Sequence, residues 1–223
     1  MINSVWQKNY KKGRFNRYPY DSVVSFVMRN FSSITNRKSI KILDLGCGGG
    51  NNLFFLQKEG FDFRAIDGAP ESIRLSKKYL GLDDSDSRVV EGNFCKLPYE
   101  DNMFDAVIDR AAIGCNLFKD ICSIADEIYR VLKPKGSYFS TDLCSEEHPD
   151  LCYGKKLDNG DYNEFSGGVF YFAQHIHAFT PKQIRKIFKK FESVKIDKIQ
   201  KNEIIGNEEK VVDVSYQITV IKQ

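Results

Sequence analysis

The chain has 223 residues, of which 42% are hydrophobic and 28% charged; this composition is typical of a globular domain and argues against disorder. Its net charge of only +3 argues against a strong overall field for nucleic acid. No apolar run approaches the roughly 20 residues of a membrane span, and the N-terminus lacks a signal-peptide pattern. We therefore expect a cytoplasmic protein that does not act in a membrane, with its six cysteines as free thiols.

Short aliphatic segments alternate with helical segments through the first two thirds of the chain. Predicted strands cover residues 40–45, 63–67, 88–91, 103–109 and 137–142, and predicted helices cover residues 52–58, 70–80 and 117–132. Strands that alternate with helices predict a parallel sheet covered on both faces. Pro134 and Gly136 are expected to separate the last of these helices from the fifth strand.

The pattern changes towards the C-terminus. Thr180 and Pro181 are typical of a helix N-cap and first turn, and we predict a helix that continues to Phe191. Further strands are predicted at residues 194–199 and 211–221, with a polar connection at residues 201–210. Because this connection contains Gly206-Asn207, an antiparallel pair of strands is expected to close the sheet.

The most informative segment is Asp44-Leu45-Gly46-Cys47-Gly48-Gly49-Gly50, at the exit of the first strand. Glycines there let the backbone approach a nucleotide ligand. The dinucleotide pattern G-x-G-x-x-G fails because its third glycine position falls on Asn51 or Leu53, which argues against an NAD-dependent oxidoreductase. The pattern D-x-G-x-G-x-G fits, and a carboxylate at Asp44 suits a ligand with an ammonium group, such as the methionine end of S-adenosylmethionine.

A second acidic residue, Asp67, ends the second predicted strand about 20 residues after the glycine loop, the spacing at which a carboxylate accepts hydrogen bonds from ribose hydroxyls. This signal predicts a nucleoside ligand but does not distinguish S-adenosylmethionine from NAD.

Four motifs in residues 40–143 resemble those of class I S-adenosylmethionine-dependent methyltransferases, in particular small-molecule enzymes of the methyltransferase type 11 kind. They are Ile-Leu-Asp-Leu-Gly-Cys-Gly-Gly-Gly from residue 42, Ala65-Ile66-Asp67, Leu97-Pro98-Tyr99 with Phe104-Asp105-Ala106-Val107, and the run from Glu127 to Gly136. The resemblance implies a methyltransferase with S-adenosylmethionine as cofactor. It also implies an α/β fold, a Rossmann-like seven-stranded mixed sheet of order 3-2-1-4-5-7-6 with its last strand antiparallel, flanked by helices.

The resemblance further implies roles for individual residues. Asp44, Gly46, Cys47 and Gly48 would surround the methionine moiety, Asp67 would hold the ribose, Gly68, Asn93 and Phe94 would contact the adenine, and Asp109 and Arg110 would face the sulfonium and the acceptor. Two features depart from the family pattern: Asn93 stands where Asp is more frequent, and Asp67 is followed by Gly-Ala-Pro.

The chain is expected to form one methyltransferase domain at residues 37–223, with an acceptor-binding insert at residues 145–179 and an N-terminal helical cap at residues 1–36. Trp6, Tyr10 and Tyr20 belong to this cap, which could close over the cofactor as a lid and bring Arg17 to the methionine carboxylate. The alternative is an aromatic helix that packs on the sheet.

His175 and His177 are candidate general bases. If residues 168–179 form a strand, both histidines share one face with Tyr171, and that face could line a pocket. The alternative is a surface hairpin with two solvated histidines.

The acceptor is predicted to be a small molecule, methylated on a hydroxyl oxygen of a sugar, sugar nucleotide or natural product. Near-neutral charge and the aromatic insert favour a small molecule. Asp109-Arg110-Ala111-Ala112 lacks the Pro-Pro-aromatic motif typical of amino-group methylation of bases or glutamine, which favours oxygen or a non-aromatic amine as the acceptor atom. We expect no metal, because no Asp-Asn pair follows Asp142. An RNA or protein methyltransferase and a non-catalytic cofactor-binding protein remain alternatives, and the sequence leaves the oligomeric state open.

Overall fold

The structure is a computed structural model that describes residues 2–223, with side chains described from residue 4 onwards. Its ten strands form a seven-stranded sheet of order β3-β2-β1-β4-β5-β10-β9 and a small sheet of order β6-β7-β8. In chain order they are β1 (Lys41–Leu45), β2 (Asp62–Asp67), β3 (Val89–Glu91), β4 (Phe104–Arg110), β5 (Leu132–Cys144), β6 (Lys155–Lys156), β7 (Asp161–Asn163), β8 (His175–His177), β9 (Ser193–Ile205) and β10 (Glu208–Ile221).

Strands β1 to β5 are parallel, and β10 is antiparallel to both of its neighbours. Counted along the chain within this sheet, the order is 3-2-1-4-5-7-6. The predicted Rossmann-like sheet and its antiparallel last strand are therefore confirmed.

Helices cover both faces of this sheet. They are α1 (Ile2–Lys11), α2 (Asp21–Phe31), α3 (Asn51–Glu59), α4 (Pro70–Leu80), α5 (Phe118–Val131) and α6 (Pro181–Ile187). Alternate residues of a strand point to opposite faces, so Ile42 packs in the cluster that holds α2 and α3, while Leu43 packs in the cluster that holds α5 and α6. The two faces together bury the central strands, which explains their near-continuous apolar sequence.

The start of β5 differs from the prediction. Helix α5 ends at Val131 and β5 begins at Leu132, so Pro134 and Gly136 lie inside the strand and not in a connection before it. The backbone N–H of Met103 donates to the Val131 carbonyl, and Leu132 pairs with Phe104. The sheet therefore takes up the chain as soon as the helix ends.

The C-terminal helix is shorter than predicted and the last two strands are longer. The Thr180 N-cap is confirmed, because its side chain accepts from the Gln183 N–H in a capping box. Helix α6 nevertheless ends at Ile187, before the buried side chains of Phe188 and Phe191. Strands β9 and β10 pair through most of residues 201–210, and only Gly206-Asn207 form the turn. The two strands therefore continue as a paired ribbon up to this turn.

Residues 168–174 form turns, and only His175–His177 form a strand. The predicted strand over residues 168–179 is therefore wrong, and so is the face on which Tyr171 was expected to join the two histidines. Both histidines are buried, which also contradicts the surface hairpin with solvated rings. No helix within residues 2–223 combines the length and apolarity that crossing a membrane requires.

Helix α2 is anchored to the sheet by a stacked pair of rings, Phe26 and Phe139, whose centroids are 4.5 Å apart. We predict that Phe26→Ala lowers the free energy of unfolding by about 3–5 kcal/mol, because it removes a buried ring and leaves a cavity. Chemical denaturation would measure this change. Val169→Ala is the control, since Val169 is exposed and its truncation should change stability by no more than about 0.5 kcal/mol. Equal effects of the two substitutions would contradict the predicted anchoring.

Candidate functional site

A cavity of about 330 Å³ opens at the carboxyl ends of β1, β2 and β4, the position where open α/β sheets bind ligands. Its walls come from the segment after β1, the ends of β2 and β4, and the N-terminal residues. The lining residues are Trp6, Tyr10, Arg14, Phe15, Asn16, Tyr20, Gly46, Cys47, Gly48, Gly49, Asn51, Asn52, Asp67, Gly68, Ala69, Phe94, Arg110, Ala111, Ala112, Cys115 and Asn116.

The glycine loop is closely approached from two sides. A Cβ atom on Gly46, where φ is +77°, would lie 2.2 Å from the Ala112 Cβ. A Cβ atom on Gly49 would lie 2.6 Å from the Phe15 ring. Side chains at these positions would collide with the segment after β4 and with the N-terminal segment, so glycine is required for the loop to meet both walls.

Asp67, at the end of β2, holds the glycine loop in place. One carboxylate oxygen accepts from the backbone N–H of Gly48 at 3.0 Å, and the other accepts from that of Ala69 at 2.9 Å. Burial raises the pKa of Asp67, and these two N–H donors oppose the rise. The side chain lines the cavity while it ties the ends of β1 and β2 together.

Asp44, in β1, is a buried carboxylate with incomplete pairing. Its Oδ2 atom has no hydrogen-bond partner among the described residues. Burial raises the pKa of Asp44 to about 8, and the neighbouring carboxylates of Asp109 and Asp67 add to the rise. A positively charged group next to this side chain would favour its ionised form.

Asp109, in β4, organises the segment that follows its strand. Its carboxylate accepts from the Tyr138 hydroxyl and the Ser140 hydroxyl, each at 2.9 Å, and from the Ala112 N–H at 2.7 Å. Burial raises its pKa to about 6, while these donors lower it. Ala111, two residues after Asp109, has a φ of +57°. This strained backbone conformation places Ala112 against Gly46 of the glycine loop.

Arg110 lies at the cavity wall beside Asp109. Its Nε atom donates to Asp142 at 2.7 Å, and its guanidinium lies 4.6 Å from the centre of the Tyr20 ring. The terminal Nη groups have no hydrogen-bond partner among the described residues, so they are available to an anionic or polar ligand.

Helix α1 and the segment after it roof the cavity. Gln7 accepts from the backbone N–H of Glu71 at 2.8 Å, and Asn9 donates to the Phe172 carbonyl at 2.8 Å. The Arg14 guanidinium stacks on the Phe172 ring at 3.9 Å. The roof is therefore fixed on one side to the start of α4 and on the other to the turns before β8.

Of the residues assigned from the sequence, seven line the cavity: Gly46, Cys47, Gly48, Asp67, Gly68, Phe94 and Arg110. Asp44 and Asp109 are buried and do not appear in its lining. Asn93 is exposed, and its side chain accepts from the Cys95 N–H. Arg17 is exposed outside the lining, where its carbonyl accepts from the Tyr79 hydroxyl.

Neither candidate base lines the cavity. His175 Nε2 lies 3.2 Å from the carbonyl of Asn116, which does line it. His177 is fully buried, with Nδ1 2.8 Å from Asp161 and Nε2 without a partner among the described residues. Burial lowers the pKa of His177. Their assignment as general bases stays a prediction, and this geometry gives it no support.

Several lining residues had no assigned role from the sequence. Asn51 and Asn52 follow the glycines directly; the Asn51 side chain donates to the Tyr18 carbonyl, and that of Asn52 accepts from the Tyr20 N–H. Two asparagines at the start of a helix, directly after a glycine loop, are a sequence signal that could have predicted this contact with the segment at Tyr18 and Tyr20. Arg14 lines the cavity in place of Arg17, and no periodicity in the N-terminal segment distinguishes the two.

The site fits S-adenosylmethionine by its donor and acceptor chemistry. The Asp67 carboxylate in the lining suits a ribose. The unpartnered Asp44 oxygen lies outside the lining, where an ammonium group bound nearby would compensate it electrostatically. Within the described part of the chain, no group of three or more His, Cys, Asp or Glu side chains is arranged to hold a metal ion.

A family of methyltransferase domains matches residues 36–192. Sterol 24-C-methyltransferase of Yarrowia lipolytica is 31% identical over 134 residues, which are 55% of this chain and 34% of that protein. The enzyme of the same name from Kluyveromyces lactis is 28% identical over 171 residues, 70% of this chain and 45% of that protein. The matched regions thus span less than half of these relatives.

The solved structure of an S-adenosylmethionine-dependent methyltransferase from Methanosarcina mazei has the same fold, with a TM-score of 0.64, 19% identity, and coverage of 92% of this chain and 98% of that one. The family match covers more than half of the chain. Together with the sheet order and the glycine loop, it places the chain in the class I S-adenosylmethionine-dependent methyltransferase family, with S-adenosylmethionine as its cofactor.

Proposed function

We propose that the protein methylates an oxygen atom of a small, ring-containing molecule that binds in the cavity beneath α1. The cavity lining is the observation that supports this proposal. Aromatic residues and two arginines, Arg14 and Arg110, line the space, and Asp67 is the single acidic residue among the described lining residues. Such a lining favours a flat acceptor that carries negative charge or acidic oxygen.

We propose that the cofactor binds along the glycine loop. When bound, S-adenosylmethionine supplies a methyl group on a positively charged sulfur. Asp67 would accept hydrogen bonds from the ribose, Phe94 would contact the adenine, and the Asp44 carboxylate would compensate the ammonium group electrostatically. Gly46 and Gly48 would keep the loop backbone close to the methionine moiety.

The acceptor oxygen would be paired with Arg110. A neutral hydroxyl needs a general base, but no histidine lines the cavity among the described residues, and burial raises the pKa of Tyr10, so its phenol is not a base. A phenol-type hydroxyl would release its proton to solvent before the transfer, a release that the positive charge of Arg110 would favour, and the resulting phenolate would need no base. Of the sugar, sugar-nucleotide and natural-product hydroxyls considered from the sequence, a phenol-type natural product therefore fits best.

Helix α1 is the part of the N-terminal region that we propose as a lid. Trp6 and Tyr10 line the cavity, whereas α2 buries Val23, Phe26 and Val27 in the core of the sheet. Entry and exit of ligands would therefore displace α1 and the segment that carries Phe15 while α2 stays in place.

A second candidate is methylation of carbon on a sterol-like molecule, because six of the curated relatives are named for C-methylation of sterols or methylenesterols. The aromatic walls would suit an apolar ring system, but Arg14 and Arg110 would then have no anionic partner on the acceptor. The two candidates predict different substrates.

Turnover with labelled cofactor on phenols, carboxylates, sugars, sterols, RNA and protein tests the proposal. We expect activity on small acidic hydroxyls, and Arg110→Ala to lower kcat/KM about ten-fold to a hundred-fold, since it removes a charge-assisted hydrogen bond. Arg185→Ala, in α6 outside the cavity lining, is the matched control and should leave kcat/KM unchanged. Activity confined to sterols would favour the second candidate, and activity confined to RNA or protein would reject both.

Asp67→Asn should weaken binding of S-adenosylhomocysteine by about ten-fold to a hundred-fold, because an amide loses the charge-assisted acceptor for the ribose hydroxyls. Isothermal titration calorimetry measures the change. Asp62→Asn is the control: this residue lies at the start of the same strand and pairs with Arg64. A dissociation constant that Asp67→Asn leaves unchanged would show that the ribose binds elsewhere.

Asp44→Asn should flatten the pH dependence of stability in the ligand-free protein. Burial and the neighbouring carboxylates raise the pKa of Asp44 from 3.8 to about 8. The unfolded chain therefore releases this proton at lower pH than the folded chain. The contribution of protonated Asp44 to the free energy of unfolding is lost as pH rises from 3.8 to about 8. Urea denaturation at about pH 5 and about pH 8 measures the loss of unfolding free energy between these two conditions.

The expected result is a smaller loss of unfolding free energy in Asp44→Asn than in the unsubstituted protein, together with weaker binding of S-adenosylhomocysteine. Asp109 also titrates in this window, with a pKa of about 6, so some pH dependence remains in the variant. Identical pH profiles for the two proteins would contradict the raised pKa of Asp44.

A further inference from the structure

Strand β9 forms one edge of the seven-stranded sheet, and within the described residues only β10 pairs with it. It has 13 residues, whereas β3 at the opposite edge has 3. Every residue from Lys198 to Ile205 is exposed. A long edge presents a row of backbone N–H and C=O groups that can pair with another strand, and proteins usually keep such edges short or covered.

Charges along one face of β9 alternate in a self-complementary order. Lys195, Asp197, Ile199, Lys201 and Glu203 share this face because side chains alternate along a strand. Residues at equal distances on the two sides of Ile199 carry opposite charges. Lys195 and Glu203 are each four residues from it, and Asp197 and Lys201 are each two residues from it.

We propose that β9 pairs antiparallel with β9 of a second copy of this chain, about a two-fold axis at Ile199. Lys195 then faces Glu203 of the second copy, Asp197 faces Lys201 of the second copy, and each pair occurs twice by symmetry. Lys195 already lies 2.7 Å from Asp197 within the strand, so a network of four alternating charges forms on each side of the axis.

The charge order selects this register over its neighbours. An axis at Lys198 would place Lys195 opposite Lys201, and an axis at Gln200 would place Asp197 opposite Glu203. Axes at Asp197 or Lys201 would place each of these residues opposite its own copy. Like charges directly opposite each other are unfavourable, so the axis at Ile199 is the one nearby register that pairs both sets of opposite charges.

The other face of β9 adds an apolar contact in the same register. Ile204, near the turn of the β9–β10 ribbon, is 70% exposed. Pairing about Ile199 places it opposite the half-buried Val194 of the second copy. The proposed pairing thus covers an exposed isoleucine, forms on the order of a dozen backbone hydrogen bonds, and joins the two sheets into one.

Sedimentation velocity of the full chain over a range of concentrations tests the proposal. We expect a reversible dimer that weakens as salt is raised. Lys195→Glu should raise the dimer dissociation constant by about ten-fold or more, since it replaces two attractions by two repulsions. The double variant Lys195→Glu/Glu203→Lys should restore dimerisation, because it exchanges the charges across the axis.

Lys198→Glu is the matched control, with the same change of charge on the same strand. Lys198 would face Gln200 of the second copy, and its surface pair with Glu147 contributes little, so the dissociation constant should stay within about two-fold. A monomer at every concentration would overturn the proposal. So would a dimer that Lys195→Glu leaves intact or that the charge exchange does not restore.

A disulfide test locates the axis independently of charge. In a Cys122→Ser/Cys152→Ser background, which removes the exposed thiols, Ile199→Cys should form a disulfide-linked dimer on mild oxidation, because opposite residues lie within disulfide reach. Gln200→Cys is the control, since two copies of residue 200 would lie about 8 Å apart, beyond that reach. Equal cross-linking of the two variants, or none for Ile199→Cys, would overturn the proposed register.

Discussion

Three carboxylates buried at the ends of neighbouring strands are the constraint on which the site depends. Asp44, Asp67 and Asp109 come from β1, β2 and β4, and burial raises the pKa of each. A buried negative charge is costly unless donors or a cation compensate it. Backbone N–H and hydroxyl groups compensate Asp67 and Asp109, but Asp44 keeps an oxygen without a partner among the described residues. Asp44 is therefore the buried carboxylate for which we propose electrostatic compensation by a bound ammonium group.

The same carboxylates connect the proposed cofactor side of the cavity to the acceptor side. Asp67 holds Gly48, and Asp109 holds Ala112, which packs so closely on Gly46 that a Cβ there would overlap with it. A shift in the segment after β4 would therefore move the glycine loop. Arg110, which is proposed to face the acceptor, lies between Asp109 and Ala112. The contacts that position the glycine loop therefore also position Arg110.

The sequence was sufficient for the parts of the fold that follow local rules. Alternating strands and helices predicted the parallel sheet, and the family resemblance implied its strand order. The predicted start of β5 and the predicted end of α6 were wrong because contacts distant in sequence decide them. Pairing with β4 draws Leu132 into β5. Helix α6 ends at Ile187, immediately before the buried side chain of Phe188. The choice of Arg14 over Arg17 at the cavity depends on stacking against Phe172, which no local pattern reveals.

Two elements that carry the proposals lie outside the part that matches the family, residues 36–192. Helix α1 precedes that part, and β9 begins directly after it at Ser193. Inside the matched part, backbone N–H and hydroxyl groups compensate the buried carboxylates of Asp67 and Asp109. The roof over the cavity and the long sheet edge are free of that constraint. Among the described residues, neither element supplies a hydrogen bond to Asp44, Asp67 or Asp109. Differences in acceptor and in assembly can therefore arise there while the hydrogen bonds that hold the glycine loop stay in place.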